Sequence, residues 1–427
     1  MGRGLKWLVV VYAIIVGSIL LSRDWNLILG RIENRHIVSQ FGIFGYAIYD
    51  LASLLSSELE ESRIKRIDTG PFKKFLSDLD TSRYRAISSD PVKQNVIFLQ
   101  LESVDGFCLW ADFEGKPVMP RLRELAGKGI AFRNAMDMTH AGRTVDAEML
   151  VLTSTLPIRG RPIFVNYDLN QIPSLPRVLG ECGYSTMSFH GYDGFFWNRE
   201  NAHRSLGYDV DFFRNSIEAE ENIGWGVSDR EVLDFAFSEI RQQTGPVFAH
   251  IILLTHHHPY DHVGRAMGNI YESIEANTLK SLAYVDAEIG AFYDRLLEAG
   301  ELEDTVLAVF GDHDSGITLP LADYIGYSLP PVWDSVPFFI IGLDEERKVV
   351  DELVGLQDLP VIVLNELGIA IPPTYIGDSL ETIGNPLSYD GYRKSLVDGN
   401  LVSEQVPIDL EVLTKLALIR PGDLHHN

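Results

Sequence analysis

Four short apolar runs, separated by helix-like stretches, limit the possible folds of this 427-residue chain more than any other property. Each run is rich in β-branched or aromatic residues and is bounded by polar ones, which is typical of buried strands. The runs are NVIFLQLES from Asn95, VFAHIILL (247–254), VLAVFGD (306–312) and VPFFIIG (336–342). The helix-like stretches are 119–129, 172–183, 228–243 and 277–300. This alternation predicts an α/β domain with a doubly wound, mostly parallel sheet.

The N-terminal region reads as a membrane attachment. Fifteen residues from Trp7 to Leu21 carry no charge. At about 1.5 Å per residue they span about 22 Å of a roughly 30 Å hydrocarbon layer. The following SRDWN has no A-x-A cleavage pattern, which favours an uncleaved membrane helix in residues 1–35 over a signal peptide. The apolar stretch 38–55 lies along the membrane surface or packs on the catalytic domain, and residues 36–90 are interpreted as an interfacial segment and linker.

The rest of the chain divides into a catalytic domain and a small appendage. Residues 91–380 contain the strand and helix pattern. In residues 381–427, Asp390-Gly391 and Asp398-Gly399 mark turns between short candidate strands. The sequence therefore predicts a C-terminal β hairpin followed by a tail.

Charge and cysteine content exclude some classes of protein. The chain has 36 Lys+Arg against 60 Asp+Glu, a net charge of −24, which argues against a nucleic-acid partner. An anionic phospholipid would need a locally basic pocket. Cys108 and Cys182 do not make a disulfide framework, so they either pair outside the cytoplasm or act as two buried, small apolar residues.

Polar side chains follow two of the predicted strands. Glu102 ends the first run, and Asp312 and His313 end the third. Because sites in open α/β sheets form at the carboxyl ends of strands, these residues are candidate ligands. Two carboxylates and an imidazole suit Mn²⁺ or Mg²⁺ and are compatible with Zn²⁺. Acidic residues at strand ends also serve simply as caps of the next helix.

Thr144 is the candidate nucleophile that such a metal would activate. It follows Gly142-Arg143 and opens a helix-like stretch. A hydroxyl becomes a useful nucleophile when a metal or a base removes its proton. A helix N-terminus beside it would favour a phosphoryl group. The alternative is that Thr144 serves only as a helix N-cap.

Taken in order, these motifs resemble lipoteichoic acid synthases and related phosphoglycerol transferases of the alkaline phosphatase and sulfatase superfamily, over roughly residues 90 to 380. The segments that carry the resemblance are NVIFLQLES, MPRLRELAGKGIAFRNA with AGRTVDAEML, FHGYDGFFWNRE (189–200), LLTHHHPY, FGDHDSGI and QDLPVIVLNELGI (357–369). Two departures stand out. Lipoteichoic acid synthases usually carry several membrane helices before the catalytic domain, whereas this sequence offers one candidate. In addition, FGDHDSGI has an extra residue between the metal motif and the following glycine.

The resemblance implies roles for eight positions. Glu102, Thr144, Asp312 and His313 would bind one metal, for which manganese is the family's usual choice. The glycerophosphate pocket would be lined by His190, Trp197, Arg199 and His257. An Arg199 guanidinium can hold phosphate oxygens bidentately, and the two histidines can donate hydrogen bonds or move a proton.

The histidine-rich stretch THHHPYDH (255–262) invites interpretation as the metal site. Adjacent side chains of an extended segment point to opposite sides, so three consecutive histidines cannot all reach one ion. Only His257 aligns with a family position, and that position contacts substrate. We therefore expect His256, His258 and His262 to be surface residues or to support the site from behind.

The implied function is that of a membrane-anchored, extracytoplasmic phosphoglycerol transferase. Thr144 would take glycerophosphate from phosphatidylglycerol and pass it to polyglycerolphosphate or a periplasmic glucan. The alternatives are a phosphodiesterase or phosphatase, which would use water, and a phosphoethanolamine transferase, which the two cysteines fit poorly. Sulfatases need Cys or Ser where Thr144 stands, and the four intact metal-site positions argue against a non-catalytic binding protein. The sequence does not indicate an oligomeric state.

Overall fold

The computed structural model describes residues 58–80, 94–160, 162–344 and 346–424, together with positions 43, 47 and 51. The predicted membrane anchor (1–35) lies outside these residues, as do the predicted domain boundary at residue 90 and most of the predicted interfacial segment and linker (36–90). In the part of the chain that is described, no helix is both long enough and apolar enough to cross a membrane.

The chain forms two compact units. One comprises Met1–Asp68 and Arg159–Arg161, and the other comprises Thr69–Ile158 and Pro162–Asn427. The second unit contains the central sheet and all the predicted site residues.

Eight strands make the central sheet of this unit. They are β1 (Asn95–Leu101), β2 (Ile130–Met136), β3 (Ser185–His190), β4 (Val210–Phe212), β5 (Val247–Ile252), β6 (Thr305–Gly311), β7 (Phe338–Ile341) and β8 (Lys348–Gly355). Their order across the sheet is β8-β2-β7-β6-β1-β5-β3-β4. All four predicted strand runs are present. Neighbouring strands pair in parallel except on both sides of β7, so the sheet is mostly parallel, as predicted, but mixed.

The helices connect these strands. They are α1 (Gly70–Asp80), α2 (Pro120–Ala126), α3 (Thr144–Thr153), α4 (Ile163–Asn166), α5 (Leu175–Glu181), α6 (Arg199–Leu206), α7 (Asp229–Arg241), α8 (His262–Ala266), α9 (Ile274–Glu298), α10 (Thr318–Ile325), α11 (Leu359–Glu366) and α12 (Leu410–Ile419). Short 3₁₀ turns lie at Gly106–Leu109, Phe196–Asn198, Glu301–Asp304, Leu356–Asp358 and Pro421–Leu424. Two-stranded ribbons join Asp112–Phe113 to Lys116–Pro117 and Asn222–Ile223 to Gly226–Val227.

Helices cover both faces of the sheet. Side chains that alternate along each strand are therefore buried on opposite sides. Ile97 and Leu99 of β1 belong to a core cluster that also takes in side chains of α2, α7, α9 and α10. Phe98 points the other way and meets Phe248 and Phe310 edge-to-face, with ring centroids 5.2 and 5.9 Å apart. Helices α3, α5 and α11 form a separate layer in which α3 contacts both others and α5 contacts β3. The arrangement agrees with the predicted doubly wound fold.

The C-terminal appendage is a three-stranded antiparallel sheet of β9 (Leu387–Ser388), β10 (Tyr392–Val397) and β11 (Asn400–Gln405). Asp398 and Gly399 join β10 to β11 with φ of 50° and 76°, the left-handed pair that a two-residue hairpin turn needs. The region predicted as a tail also contains α12, whose Leu410, Leu413 and Leu416 are buried. Helix α12 is therefore an addition to the predicted hairpin.

The two cysteines do not pair. Cys108 is buried and belongs to the core cluster, as one of the two sequence interpretations expects. Cys182 is exposed, so the interpretation of two buried thiols is wrong for this residue. Cys182 closes the C-terminal end of α5, where the chain turns toward the sheet edge opposite the site.

Candidate active site

The carboxyl ends of neighbouring parallel strands bring the candidate ligands to one edge of the sheet. Leu101 of β1 pairs with Gly311 of β6, so the next residues, Glu102 and Asp312, leave the sheet side by side. His190 ends β3, and the segment that carries His257 follows β5, on the other side of β1. The sheet topology therefore gathers residues from four distant parts of the sequence.

Glu102, Asp312 and His313 form a compact acidic and imidazole cluster. One ligand atom from each residue lies within 4.8 Å of the others. The Nε2 of His313 is 3.6 Å from Glu102 Oε1 and 3.5 Å from Asp312 Oδ2. All three side chains are buried. The predicted ligands are thus brought together within reach of a single ion.

The hydrogen bonding of this cluster fits a cation. Asp312 Oδ1 accepts the amides of Ser103 (2.8 Å) and His313 (2.7 Å), but its buried Oδ2 has no hydrogen-bond partner among the described residues. The Nδ1 of His313 lies 2.8 Å from the carbonyl of Asp314 and 2.9 Å from Arg143 Nη2, and its Nε2 faces the two carboxylates. A metal ion here would satisfy Asp312 Oδ2 and could bind the imidazole Nε2.

The electrostatics of the cluster also favour a bound cation. Burial, together with the charge of Glu102, raises the pKa of Asp312 to about 7. Burial alone would lower the pKa of His313, but Asp312 and Glu102 raise it above its ordinary value. Two buried carboxylates repel each other unless a positive charge compensates them. A divalent cation supplies that charge, and this oxygen and nitrogen set suits Mn²⁺ or Mg²⁺.

Thr144 lies beside the cluster, at the start of a buried helix. Its Oγ1 is 3.5 Å from Glu102 Oε2. The residue that caps α3 is Arg143, whose φ of 46° is left-handed, and Thr144 is the first residue of the helix itself. The interpretation of Thr144 as a simple N-cap is therefore wrong. Its hydroxyl faces the candidate metal ligands at a helix N-terminus, where negative charge is favoured.

The turn before Thr144 is held by a second carboxylate. Asp146 accepts the amides of His140 and Gly142, both at 2.9 Å. Burial raises the pKa of Asp146 to about 7, although these two amides oppose the shift. A Cβ on Gly142 would lie 2.1 Å from Asp146 Oδ1. The glycine is therefore required sterically for the approach of the turn to the helix.

We expect Gly142→Ala to lower turnover by about 100-fold, because the turn must move and a displacement of about 1 Å at a reacting group has an effect of this size. Steady-state kinetics check the prediction. Gly180→Ala is the matched control, since its new Cβ would meet only Thr186 Cγ2 at 3.9 Å. Equal rates for the two variants would show that the turn does not position Thr144.

Arg199 supplies the local positive charge that an anionic substrate would need in a chain with a negative net charge. It is 1% exposed and is clamped by Glu148, which accepts Nε at 3.0 Å and Nη2 at 2.8 Å. Its Nη1 has no hydrogen-bond partner among the described residues, although the side chain lines the cavity. A phosphate oxygen is a suitable acceptor for this free donor.

Glu148 is part of a longer buried chain of charges. The Nε2 of His203 is 2.7 Å from Glu148 Oε2, and its Nδ1 is 3.2 Å from Asp211 Oδ1. Burial would raise the pKa of Glu148, yet Arg199 and His203 hold it well below its ordinary value. Burial would likewise lower the pKa of His203, but Asp211 and Glu148 raise it. The network keeps Glu148 ionised and Arg199 fixed.

The two predicted substrate histidines differ in their surroundings. His190 is buried, and its Nδ1 donates to the carbonyl of Ile252 at 3.0 Å. Burial and the charge of Arg199 lower the pKa of His190 to about 3, so its ring is neutral. His257 is half-buried, and its Nε2 is 4.0 Å from Glu102 Oε1. Burial lowers the pKa of His257, and its Nδ1 is bonded to the carbonyl of His258 at 2.9 Å.

A cavity of about 370 Å³ joins these groups. Every predicted site residue lines it except Asp312, which lies behind Glu102 and His313. Trp197 lines it from a strained backbone position, with φ of 57° next to Asn198 at 60°. The structure therefore places all eight predicted positions in or directly behind one cavity, and their individual roles stay predictions.

The remaining histidines of the 255–262 stretch lie in three different environments. His256 is buried against Tyr260, with ring centroids 4.7 Å apart, so of the two expectations for this residue only support of the site from behind is compatible with the structure. His258 is exposed at the cavity, and His262 is half-buried against Gly224. None of them belongs to the acidic and imidazole clusters found among the described residues. The structure separates these histidines from one another, and the assignment of the metal site away from this stretch stays a prediction.

Three site residues were not among the predicted ones. Arg143 donates to Asp314 Oδ1 at 2.6 Å, Glu148 clamps Arg199, and Trp225 packs against His257 with ring centroids 4.1 Å apart and ring planes tilted by 36°. Glu148 had a signal in the sequence, since a carboxylate within the apolar helix α3 needs a buried partner. Trp225 had none, because its two-stranded ribbon reaches the cavity only through tertiary packing.

Comparisons with known proteins agree with this architecture. A family model described as Sulfatase matches residues 94–369. Lipoteichoic acid synthase 2 of Bacillus subtilis (strain 168) is 24% identical over 364 residues, which cover 81% of this chain and 56% of that protein. The chain spans about half the length of the curated relatives it matches.

Solved structures show the same fold. The lipoteichoic acid synthase LtaP from Listeria monocytogenes superposes with a TM-score of 0.68 at 22% identity, over 82% of this chain and 97% of that one. The phosphoglycerol transferase GacH from Streptococcus pyogenes, solved in complex with sn-glycerol-1-phosphate, gives a TM-score of 0.53 at 17% identity, over 84% and 92%. The resemblance seen in the sequence motifs is confirmed.

Proposed function

The chain belongs to the sulfatase family, and we propose that it is a phosphoglycerol transferase that uses Thr144 as nucleophile and phosphatidylglycerol as donor. One observation carries the proposal. The Thr144 hydroxyl, the Glu102, Asp312 and His313 cluster and the free Nη1 of Arg199 all serve a single cavity. A nucleophile, a cation site and a phosphate-binding cation are the parts that phosphoryl transfer needs.

The first half-reaction transfers glycerophosphate to the enzyme. Thr144 Oγ1 attacks phosphorus, the new O–P bond replaces the P–O bond to diacylglycerol, and the departing oxygen takes up a proton that balances the one lost by Thr144. Arg199 Nη1 holds a non-bridging phosphate oxygen. A manganese ion held by Glu102, Asp312, His313 and Thr144 would lower the pKa of the hydroxyl and neutralise phosphate charge.

In the second half-reaction an acceptor hydroxyl attacks phosphorus, the P–O bond to Thr144 Oγ1 breaks, and the proton lost by the acceptor balances the one that Thr144 regains. We assign this proton transfer to His257, because its Nδ1 is held by the carbonyl of His258 and its Nε2 lies in the cavity, 4.0 Å from Glu102 Oε1. His190, neutral at ordinary pH, orients the bound glycerophosphate. The acceptor is polyglycerolphosphate or a periplasmic glucan on the outer side of the membrane, and the N-terminal apolar stretch anchors the enzyme beside its lipid donor.

Hydrolysis is the second candidate, because water can enter an open cavity and attack the same intermediate. Product analysis separates the two reactions. The full chain in detergent or nanodiscs would be incubated with Mn²⁺, phosphatidylglycerol and an added glucan or glycerophosphate acceptor. Diacylglycerol release with a glycerophosphate adduct on the acceptor is the expected result. Free glycerol phosphate alone would establish a hydrolase, and no diacylglycerol at all would reject phosphatidylglycerol as donor.

Metal removal provides a further prediction. We expect Asp312→Asn to lower the number of bound Mn²⁺ ions per chain from about one to near zero, because it removes a charged ligand. Inductively coupled plasma mass spectrometry of the purified chain measures this without any activity assay. Asp334→Asn, in a separate and partly exposed acidic cluster with Asp137 and Asp314, is the control. Loss of metal only in the control would move the metal site to that cluster.

A further inference from the structure

Five aromatic residues lie on or directly next to one part of the cavity wall, and we call them the aromatic collar. It consists of Tyr192, Phe195, Phe196, Trp197 and Trp225. Tyr192 contacts Phe196 and Trp225, with ring centroids 5.4 and 5.9 Å apart, and Phe196 contacts Trp197 at 5.8 Å and Trp225 at 6.1 Å. Four of the five rings are therefore connected by ring contacts, and they reach His257 in the cavity through Trp225, whereas Phe195 projects beside them.

The outer part of the collar is exposed to an unusual degree. Phe195 is 83% exposed, and Phe196 and Trp225 are each 39% exposed. Phe195 does not line the cavity, so its exposure is not explained by contact with a bound headgroup. Solvent-exposed aromatic side chains of this kind, beside a binding site, mark an interaction surface.

Phe195 lies in a turn formed by residues 193–200, which we call the tip, and hydrogen bonds within and next to this turn hold it in place. The amide of Phe196 donates to the carbonyl of Asp193 at 3.0 Å, and the amide of Glu200 donates to the carbonyl of Gly194 at 2.9 Å. Asn198 Nδ2 anchors the tip to the carbonyl of Phe164 at 2.8 Å. The exposed ring is thus projected from the part of this turn that precedes the strained positions at Trp197 and Asn198.

The charges beside the collar are mainly negative. The segment 214–221 lies against it, since the Arg214 amide donates to the Tyr192 carbonyl at 3.1 Å and the Glu221 carbonyl accepts from Ser228 at 3.1 Å. This segment carries three glutamates and one arginine. A partner held by electrostatic attraction to anionic lipid would require the opposite sign. Contact must come from the aromatic rings themselves.

We propose that the collar inserts into the interfacial layer of the bilayer that holds the lipid donor. The inference rests on the proposed function, because it assigns the diacylglycerol part of the donor to the space next to the collar while its phosphate reaches Arg199 and Thr144. Tryptophan and tyrosine favour the membrane interface, and apolar side chains enter it to a depth of about 5–10 Å. The collar would let a headgroup reach the cavity without the lipid leaving the membrane.

Fluorescence quenching in nanodiscs tests the contact without any catalysis. Phe195→Cys would be labelled with an environment-sensitive fluorophore on the full chain, with Cys182→Ser removing the exposed thiol. The matched control is Leu297→Cys, which is 57% exposed in the last turn of α9, before β6 and hence at the opposite sheet edge. Lipids brominated near the top of the acyl chains should quench the label at 195 and leave the label at 297 unchanged, even when the salt concentration is raised about tenfold.

Several outcomes would overturn the proposal. Equal quenching at both positions, or none at 195, would mean that the collar does not enter the bilayer. A spectral shift at 195 that depends on protein concentration without lipid would assign the collar to a second copy of the chain. Protection of the label by an added glucan, in place of lipid quenching, would assign it to the acceptor.

Activity measurements add a second test. Phe195→Ser should lower turnover of phosphatidylglycerol in bilayers by about tenfold or more, because a phenylalanine contact with lipid is lost. Turnover of a dispersed, water-soluble glycerophosphodiester should not change. Equal loss on both donors would overturn the proposal. If the unmodified chain turns over neither donor while quenching at 195 persists, the proposed function fails and the membrane contact stands.

Discussion

Thr144→Ala is expected to abolish the covalent glycerophosphate adduct and to lower turnover by about 10⁴-fold, because the residue that forms the intermediate is lost. Its Oγ1 is the hydroxyl beside Glu102 in the cavity. Intact and peptide mass spectrometry after incubation with Mn²⁺ and phosphatidylglycerol would detect the adduct, and diacylglycerol release would give the rate. Thr144→Ser should keep part of the activity, since it retains the hydroxyl.

Thr278→Ala provides the matched control for this variant. Among the described residues, its Oγ1 donates to the carbonyl of Ile274 within α9, at 2.8 Å, and Thr278 does not line the cavity. Normal adduct formation in this control, together with its loss in Thr144→Ala, would establish the nucleophile. An adduct that persists in Thr144→Ala would place the covalent bond on another residue and refute the mechanism.

Glu148→Gln should have the second largest effect, on stability and activity together. Glu148 is 0% exposed and bridges Arg199 and His203 at 2.8 and 2.7 Å. Removing one charge of a buried pair leaves the other uncompensated, so the free energy of unfolding should fall by about 3 kcal/mol or more. Because Arg199 is no longer clamped, kcat/KM for the lipid donor should fall by about 100-fold.

The stability difference should depend on pH with a definite sign. The pKa of Glu148 is lower in the folded chain than its unfolded value of about 4.3. Its contribution is therefore fully present above about pH 5 and is lost as the pH falls through the folded pKa. Denaturant unfolding at a series of pH values should show the unmodified chain and Glu148→Gln converging on the acid side.

An exposed ion pair supplies the comparison. Glu124 bonds Arg121 at 2.6 Å with about half of its side chain exposed, so Glu124→Gln should change the free energy of unfolding by no more than about 1 kcal/mol. If Glu148→Gln is as mild as Glu124→Gln, the buried network neither stabilises the fold nor holds Arg199. A loss of stability with unchanged kcat/KM would leave a structural role only.

Apolar patterning was sufficient to predict the strands at the centre of the sheet. β1, β5, β6 and β7 are buried on both faces and therefore appear in the sequence as continuous apolar runs. β3 and β8 did not, because STMSFH and KVVDELVG mix polar and apolar residues. β3 is stabilised by its pairing with β5, and β8 by its pairing with β2, and neither pairing can be predicted from the composition of the strand.

Strand direction also lay beyond the sequence pattern. β7 has the composition of a central parallel strand, yet it runs against β6 and β2. The chain between β6 and β7 stays at the edge where β6 ends, so β7 must start from that edge. The composition of a strand indicates that it is buried on both faces. Its direction depends on the end of the sheet at which the preceding connection enters the strand.

Part of the candidate metal site could be predicted from the position of polar residues relative to the strands. A carboxylate or an imidazole directly after a buried strand identifies Glu102, Asp312 and His313, because a parallel sheet brings such strand ends together. The family motifs add Thr144 and Arg199, which the structure places in the same cavity. Residue type and position relative to a strand were enough to select Glu102, Asp312 and His313 as candidate ligands, whereas Thr144 and Arg199 also needed the family motifs.

Tertiary packing alone decided the supports and the rim of the site. Glu148, Arg143 and Trp225 meet their partners across separations of 51, 171 and 32 residues, and no local pattern encodes such contacts. The same holds for His256, for which the sequence left a surface position and a supporting position open, and which the fold buries against Tyr260. Local composition can report which segments enter the core, but which side chains meet there depends on the path of the whole chain.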